Sequence, residues 1–373
     1  MANKKIGITG HNGFLGTHLK NQIRYKFKEF KIINFKRSFF DNENDLSTFI
    51  NSCDVIVHLA GLNRHKSSEE IIKTNVKLAK ILGANLIKNK FKGSLIFSSS
   101  TQEYEDTPYG KSKKKAAEIL IEASKSVNFS FVKLIIPNIF GPFCKPYYNS
   151  FITTFSHQLI KEEKIEIIQN VQVPLIYIDE VIDQLLNVLE LKGINKIKVL
   201  HKKEIKVDEV LSKLEEFHKA YIENGDIPKL DSIFDIQLFN TFRSAINSKE
   251  FFPIPYKTHK DERGCFSELV RSYTKGQVSF STTKPGVTRG NHFHTRKIER
   301  FSVIQGEAMI AFRTIGDEEI IEFKLSGKEP SYVDIPIWTT HNIVNIGSED
   351  LITVFWINEH YNLDDADVYF EKV

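Results

Sequence analysis

Cysteine is scarce in this chain, with three in 373 residues, at positions 53, 144 and 265. Their spacing matches neither a disulfide framework nor a zinc knuckle, which fits a reducing compartment. Long apolar runs are also missing: no stretch of 18 apolar residues is available to cross a bilayer as a helix. The polar opening MANKKIGITG runs straight into a strand and does not read as a signal peptide. The sequence therefore predicts a cytoplasmic protein with no membrane segment. Excess charge of one sign is absent as well. Lys and Arg total 51 against 47 Asp and Glu, a net +4, which gives a nucleic-acid partner no electrostatic support. The basic run KSKKK at 111–115 reads as the solvated face of a helix.

What is present is ordinary in bulk and specific in detail. Hydrophobic residues make up 41% and charged residues 26%, as in soluble globular proteins, and the length allows two domains. Residues 4–9 (KKIGIT) form a β-rich run, followed by the turn GHNGFLG and an amphipathic stretch from Leu15 to Phe27. This strand–turn–helix order suits a dinucleotide site contributed by Gly10, Asn12, Gly13, Phe14, Leu15 and Gly16. Gly10 permits the tight turn, Gly13 lets backbone approach a pyrophosphate, and Gly16 lets the helix pack on the strand. The helix N-terminus then offers N–H groups to phosphate. A second strand, Lys31 to Phe35, ends in Lys36-Arg37-Ser38 where an NAD enzyme would carry an acid. Arg37 suits the 2′-phosphate of NADP.

Further strands at Asp54–Leu59 and Ser94–Ser98 alternate with helical stretches near 67–89 and 111–124. The alternation predicts an α/β, Rossmann-like doubly wound parallel sheet. HLAG (58–61) puts Leu59 and Ala60 near the cofactor. Tyr109 and Lys113 lie four apart at a helix start and share a face. A tyrosine phenol titrates near 10, and a neighbouring ammonium is expected to lower that value. Ser100, or its neighbour Ser99, is placed to hydrogen-bond a substrate oxygen. With SSS, the glycine turn and HLAG, this region resembles the extended short-chain dehydrogenase/reductases over roughly residues 1–245. The resemblance implies Ser100, Tyr109 and Lys113 as catalytic, Lys113 also contacting the nicotinamide ribose. The eight residues between Ser100 and Tyr109 make an unusually short loop, which leaves the choice of serine among 98–100 open. In PNIFGPFCKPYYNS (137–150), Asn138, Lys145 and Asn149 are candidate nucleotide-sugar contacts, with an ordinary connecting loop as the alternative.

From Phe266 onward short β-rich runs alternate with Gly, Pro and Asp turns, an all-β pattern that predicts a jelly-roll barrel. Within it, GVTRGNHFHTRKIERFSVIQG places His292, His294 and Glu299 between Gly286 and Gly306, and His341 follows on PIWTTHN. Two histidines two apart on a strand point to one face. Three imidazoles and a carboxylate suit a divalent ion, most readily Zn²⁺, with Ni²⁺, Mn²⁺ or Fe²⁺ as alternatives. The spacing resembles the metal-binding cupins. Their second motif is matched at Pro336, His341 and Asn345, but Trp338 stands where glycine is usual, which is expected to narrow the barrel mouth. DERGCFSE, with Arg263, and Arg289 before His292 resemble the nucleotide-sugar 3,5-epimerases. That resemblance implies Arg263 and Arg289 as phosphate contacts.

Taken together, residues 1–247 are expected to form the NADP-binding reductase domain, with its substrate-binding part at about 138–247. Residues 248–373 are expected to form the metal-binding cupin domain. The whole chain resembles the bifunctional capsule-biosynthesis epimerase/reductases (CapF/WbjC type). The resemblance implies NADP(H), a divalent metal, a UDP-linked 4-keto deoxy amino sugar and a homodimer. It further implies C3 epimerisation in the barrel, then C4 reduction. The alternatives are a reductase or dehydratase with a purely structural barrel, or a sensor that binds NADPH without turnover. Glu103, Glu105 and Asp106 do not take the TDEVYG form a dehydratase would carry. The sequence names no epimerase base, nor does it say whether the metal is catalytic or structural.

Overall fold

The structure, a computed structural model, describes residues 4–148, 150–262 and 264–373. The chain forms two compact units. One comprises the residues up to Phe140 with Cys144–Thr154 and Gln169–Val207; the other comprises Gly141–Phe143, Phe155–Ile168 and Asp208–Val373.

The first unit is built on a six-stranded sheet. Its spatial order is Phe30–Ile33, Lys4–Thr9, Val55–His58, Ser94–Ser100, Ser130–Ile136 and Ile194–Lys198. Every pairing in it is parallel. Val55–His58 is buried along its whole length, as expected where helices cover both faces of a sheet. Chain order reverses between Lys4–Thr9 and Val55–His58, and the crevice at their carboxyl ends is where such sheets bind ligands. The core packs Phe49, Ile50 and Ile56 with Leu82, Leu86, Leu95 and Leu120. The expected strand Lys31–Phe35 forms one residue earlier and ends at Ile33. Phe35 instead turns into the core, edge-on to Phe39, Phe40 and Phe49.

Helix Pro108–Val127 carries Tyr109 and Lys113 in its first turns, starting ahead of the stretch expected at 111–124. Thr107 caps it by accepting from the Gly110 N–H at 3.0 Å, and Pro108 occupies the first helical position, where no donor is needed. The short loop before it is taken up by the turn Thr101–Tyr104. This turn packs so tightly that a Cβ on Gly110 would lie 1.9 Å from the Gln102 carbonyl oxygen.

The second unit holds two five-stranded sheets. One runs Ile254–Pro255, Ser331–Ile335, Glu299–Gln305, Leu351–Ile357 and Gln277–Thr283. The other runs Ile321–Ser326, Glu307–Thr314, Thr339–Asn345, Thr288–Phe293 and Tyr369–Phe370. All pairings are antiparallel, and Val303, Ile310, Phe312, Phe323, Val333 and Leu351 fill the core. Helices Val207–Phe217 and Ile233–Arg243 fall in or at the edge of this unit, ahead of the boundary expected at 247–248. Buried polar groups tie them to the barrel. Tyr221 donates to Asp334 at 2.6 Å, and Arg243 donates to the Ile335 carbonyl at 2.7 Å. Asp334 also receives Arg300 in a two-pronged pair at 2.8 and 3.0 Å.

Trp338 departs from its expected role. It occupies left-handed backbone, φ 57, the conformation for which glycine is the usual choice. Its side chain does not narrow the mouth; it is buried and stacks on Phe293 at 5.3 Å. Phe293 alternates with His292 and therefore points to the opposite face of the strand.

Candidate active sites

The first site lies at the carboxyl ends of the parallel strands. Gly10 has φ 77, and a Cβ there would meet the Ala60 backbone nitrogen at 2.7 Å, so the glycine turn abuts Leu59 and Ala60. A Cβ on Gly16 would lie 2.3 Å from the Gly10 carbonyl oxygen. Gly13 starts helix Phe14–Tyr25 with no side-chain cap, which leaves the helix N-terminus available to an anion. Asn12 is exposed beside it, and Phe14 and Leu15 are half-buried. Arg37 is exposed and opens the turn Arg37–Asp41 just after the second strand.

Lys113 is buried and donates to the Ser98 carbonyl at 2.7 Å. Its Nζ lies 5.7 Å from the Tyr109 ring centre. The three serines are differently engaged. Ser98 Oγ donates to the His58 carbonyl at 3.3 Å, while Ser99 is buried and donates to the Glu103 carboxylate. Ser100 is the least buried and accepts from the Gln102 N–H at 3.2 Å. Asn138 is exposed, and Lys145 Nζ lies 5.8 Å from the Tyr148 ring centre. Asn149 and Arg263 lie outside the described residues.

Electrostatics here correct one expectation. Burial, with Tyr148 nearby, pushes the Tyr109 phenol up to about 12 rather than down. Burial lowers Lys113 to about 8. Desolvation of a phenolate dominates, and the Lys113 ammonium is turned toward the Ser98 carbonyl. Tyr109 is therefore held protonated, the state a proton donor requires. Burial and Lys113 together take His58 down to about 3; it is neutral and bonded to Thr9 Oγ1 at 2.7 Å.

Sequence reasoning missed two buried polar groupings near these residues. Asn75 accepts from the Leu62 N–H at 2.6 Å and donates to Ser112 Oγ at 2.8 Å, bracing the helix of Lys113. Glu103 pairs with Lys133 at 2.8 Å. Neither carries a local motif, since each partner comes from a distant strand, helix or loop.

The second site is in the barrel. His292, His294, Glu299 and His341 each present a ligand atom, all within 4.8 Å of one another. His292 and His341 sit opposite each other on paired strands, and Glu299 begins a strand of the other sheet. Glu299 Oε2 lies 3.1 Å from His294 Nε2 and 3.6 Å from His341 Nε2. Burial lowers His292, and lowers His341 to about 3, so both imidazoles are neutral and keep a lone pair. Burial would lower His294 too, but its bond to Glu299 outweighs this and raises it. Burial likewise works against the Glu299 carboxylate, yet His294 pulls its pKa down. His341 Nε2 is buried and, among the described residues, has no hydrogen-bond partner, a cost that a bound cation would remove. The donor set therefore fits a divalent ion.

The cluster opens onto a cavity of about 260 Å³ lined by Ser281, Arg289, Phe301, Asn342 and Phe355 among others. Arg289 is fixed at its rim by donating to Thr283 Oγ1 and the Thr282 carbonyl, both at 2.9 Å. Among the described lining residues, the only imidazoles and carboxylates are His292, Glu299 and His341. Among the described residues, no helix is long and apolar enough to cross a membrane.

Residues 6–199 match the NAD dependent epimerase/dehydratase family, and residues 259–369 match the polysaccharide biosynthesis C-terminal domain. A Pseudomonas aeruginosa protein, UDP-2-acetamido-2,6-beta-L-arabino-hexul-4-ose reductase, is 32% identical over 370 residues, 98% of each chain. The crystal structure of capsular polysaccharide assembling protein CapF from Staphylococcus aureus is similar with a TM-score of 0.61. It is 34% identical and covers 99% of this chain and 100% of its own. The Bacillus subtilis spore coat polysaccharide biosynthesis protein SpsL is 26% identical over 121 residues, 29% of this chain and 79% of its own. Matched end to end, with both units in the same order, the chain belongs to the bifunctional epimerase/reductase family of capsular polysaccharide synthesis.

Proposed function

We propose that this chain converts UDP-2-acetamido-2,6-dideoxy-hexos-4-ulose in two steps. The barrel inverts C3, and the dinucleotide unit then reduces the C4 ketone with NADPH. The product would be UDP-N-acetyl-6-deoxy-L-talosamine, on a route to UDP-N-acetyl-L-fucosamine. The observation that carries this reading is the pairing, on one chain, of a protonated Tyr109 beside buried Lys113 with a four-ligand cluster on a cavity. The order follows from chemistry: a C4 ketone acidifies the neighbouring C3–H, and reducing it first would remove that activation.

In the reductase, bound NADPH supplies the hydride. Tyr109 gives a proton to the C4 oxygen, Ser100 donates a hydrogen bond to that oxygen, and Lys113 supports the tyrosine and the nicotinamide ribose. Arg37 is assigned to the 2′-phosphate, and the N-terminus of helix Phe14–Tyr25 to the pyrophosphate. In the barrel, His292, His294, Glu299 and His341 would hold Zn²⁺, which supplies positive charge near a developing enolate oxygen. Arg289 and Arg263 are assigned to the sugar-nucleotide phosphates, with Asn138, Lys145 and Asn149 as contacts in the reductase. The chain is read as a cytoplasmic homodimer.

The test supplies the 4-keto sugar without NADPH in deuterated solvent. Deuterium should enter at C3, and its absence would sink the epimerase role. Tyr109→Phe should lower NADPH oxidation by about 10²–10⁴-fold and leave that exchange running. If both reactions stop together, the two-site reading is wrong.

A further inference from the structure

We infer that Asp367 is the positioning residue of the barrel cluster, setting the ring of His294 with its carbonyl and the following loop with its carboxylate. This rests on reading the four-ligand cluster as a metal centre. Asp367 is buried and adopts φ 45, left-handed backbone that Asp and Asn tolerate better than most residues. Its carbonyl oxygen lies 2.6 Å from His294 Nδ1. A carbonyl only accepts, so Nδ1 carries the proton and Nε2 is the nitrogen turned toward the cluster, 3.1 Å from Glu299 Oε2, where its lone pair would meet a bound ion.

The carboxylate of the same residue does a second job. It accepts from the backbone N–H groups of Thr295, Arg296 and Lys297 at 3.1, 3.0 and 3.0 Å, and from Thr295 Oγ1 at 2.7 Å. Three successive amides thus wrap one buried carboxylate, in the loop whose two ends are the ligands His294 and Glu299. Removing the acceptor would strand buried donors between two ligands. Nearby Arg296 makes a separate, more exposed tether to Glu359 and Asp365, at 3.0 and 2.9 Å.

The experiment titrates metal-stripped protein with Zn²⁺ against a chromophoric chelator. Asp367→Asn keeps the size and the tolerance of left-handed backbone but loses one of the two acceptor oxygens. It should bind Zn²⁺ about 10–100-fold more weakly, the usual effect of removing a group that orients a ligand. Arg296→Ala, which cuts only the surface tether, should keep the wild-type affinity. Wild-type affinity in Asp367→Asn, or an equal loss in Arg296→Ala, overturns the assignment. Should Asp367→Asn fail to fold, Thr295→Ala removes a single bond to the carboxylate. A smaller loss there supports the role, and no loss overturns it. A wild-type protein that takes up no Zn²⁺ overturns the metal reading itself, whereas the C3 exchange assay judges the epimerase reading separately.

Discussion

Tyr109 and Lys113 titrate in opposite directions from their ordinary values, and this fixes the expected pH behaviour of reduction. Lys113, lowered to about 8, loses its ammonium as pH rises through that value. Tyr109, raised to about 12, stays protonated across the whole neutral and mildly alkaline range. The rate of NADPH-dependent reduction should therefore fall above about pH 8 on account of the lysine. A kcat/KM profile checks this, and Lys113→Arg should move the alkaline limb upward, since a guanidinium does not deprotonate there. The Tyr–Lys pair and the run His292, His294 and Glu299 stood out in sequence because each sits at short, fixed spacing, and the structure gathers His341, from the separate PIWTTHN stretch, into the same cluster. The direction of the Tyr109 shift was not, because burial is a property of the fold. Asp367 was illegible for a similar reason: it lies 73 positions from the histidine it orients, in a segment with no pattern of its own.

Among the elements, the short loop before helix Pro108–Val127 is the most constrained. Gly110→Ala would drive a methyl group into the Gln102 carbonyl, and overpacking of this kind costs about 1–3 kcal/mol. Thermal unfolding should register that loss, with reduction falling as Tyr109 shifts. Trp338 poses the opposite balance. Trp338→Gly would relieve about 1–2 kcal/mol of left-handed strain but give up about 3–5 kcal/mol of buried aromatic packing on Phe293. A net loss of about 1–4 kcal/mol is expected in denaturant unfolding. The left-handed backbone at Trp338 is held here by the packing of the ring. Sequence position marked the substitution, but only the alternation of Phe293 with His292 says which side of the strand the indole joins. Strand and helix types were readable from periodicity, whereas Phe35 left its expected strand because the core offered it three aromatic neighbours.

For the molecule as a whole, two sheet systems were foreseeable from the change in pattern: alternating strands and helices early, strands and turns late. The seam between them was not. Helix Ile233–Arg243 and Tyr221 look like part of the reductase in sequence, yet their buried polar groups are spent on the barrel through Asp334 and Ile335. Asp334→Ala would leave Arg300 buried without its partner, a loss of about 3–5 kcal/mol. Unfolding followed by calorimetry should show the barrel transition lowered, while NADPH binding by the first unit, read by fluorescence titration, should be retained.

The place of Asp367 in the chain has a consequence for biosynthesis. Domains emerging from a ribosome fold from the N-terminal side as soon as their contacts are available. The last strand of the parallel sheet, Ile194–Lys198, is translated well before the barrel, so that sheet can close early. The loop His294–Ile298 must wait for Asp367, and the strand bearing His292, which can pair earlier with Thr339–Asn345, gains its second neighbour only with Tyr369–Phe370. On the proposed reading of the cluster as a metal centre, loading of an ion would thus be timed by translation. On that reading, a nascent chain arrested between Ile357 and Asp367 should carry His292, His294, Glu299 and His341 and still hold Zn²⁺ poorly.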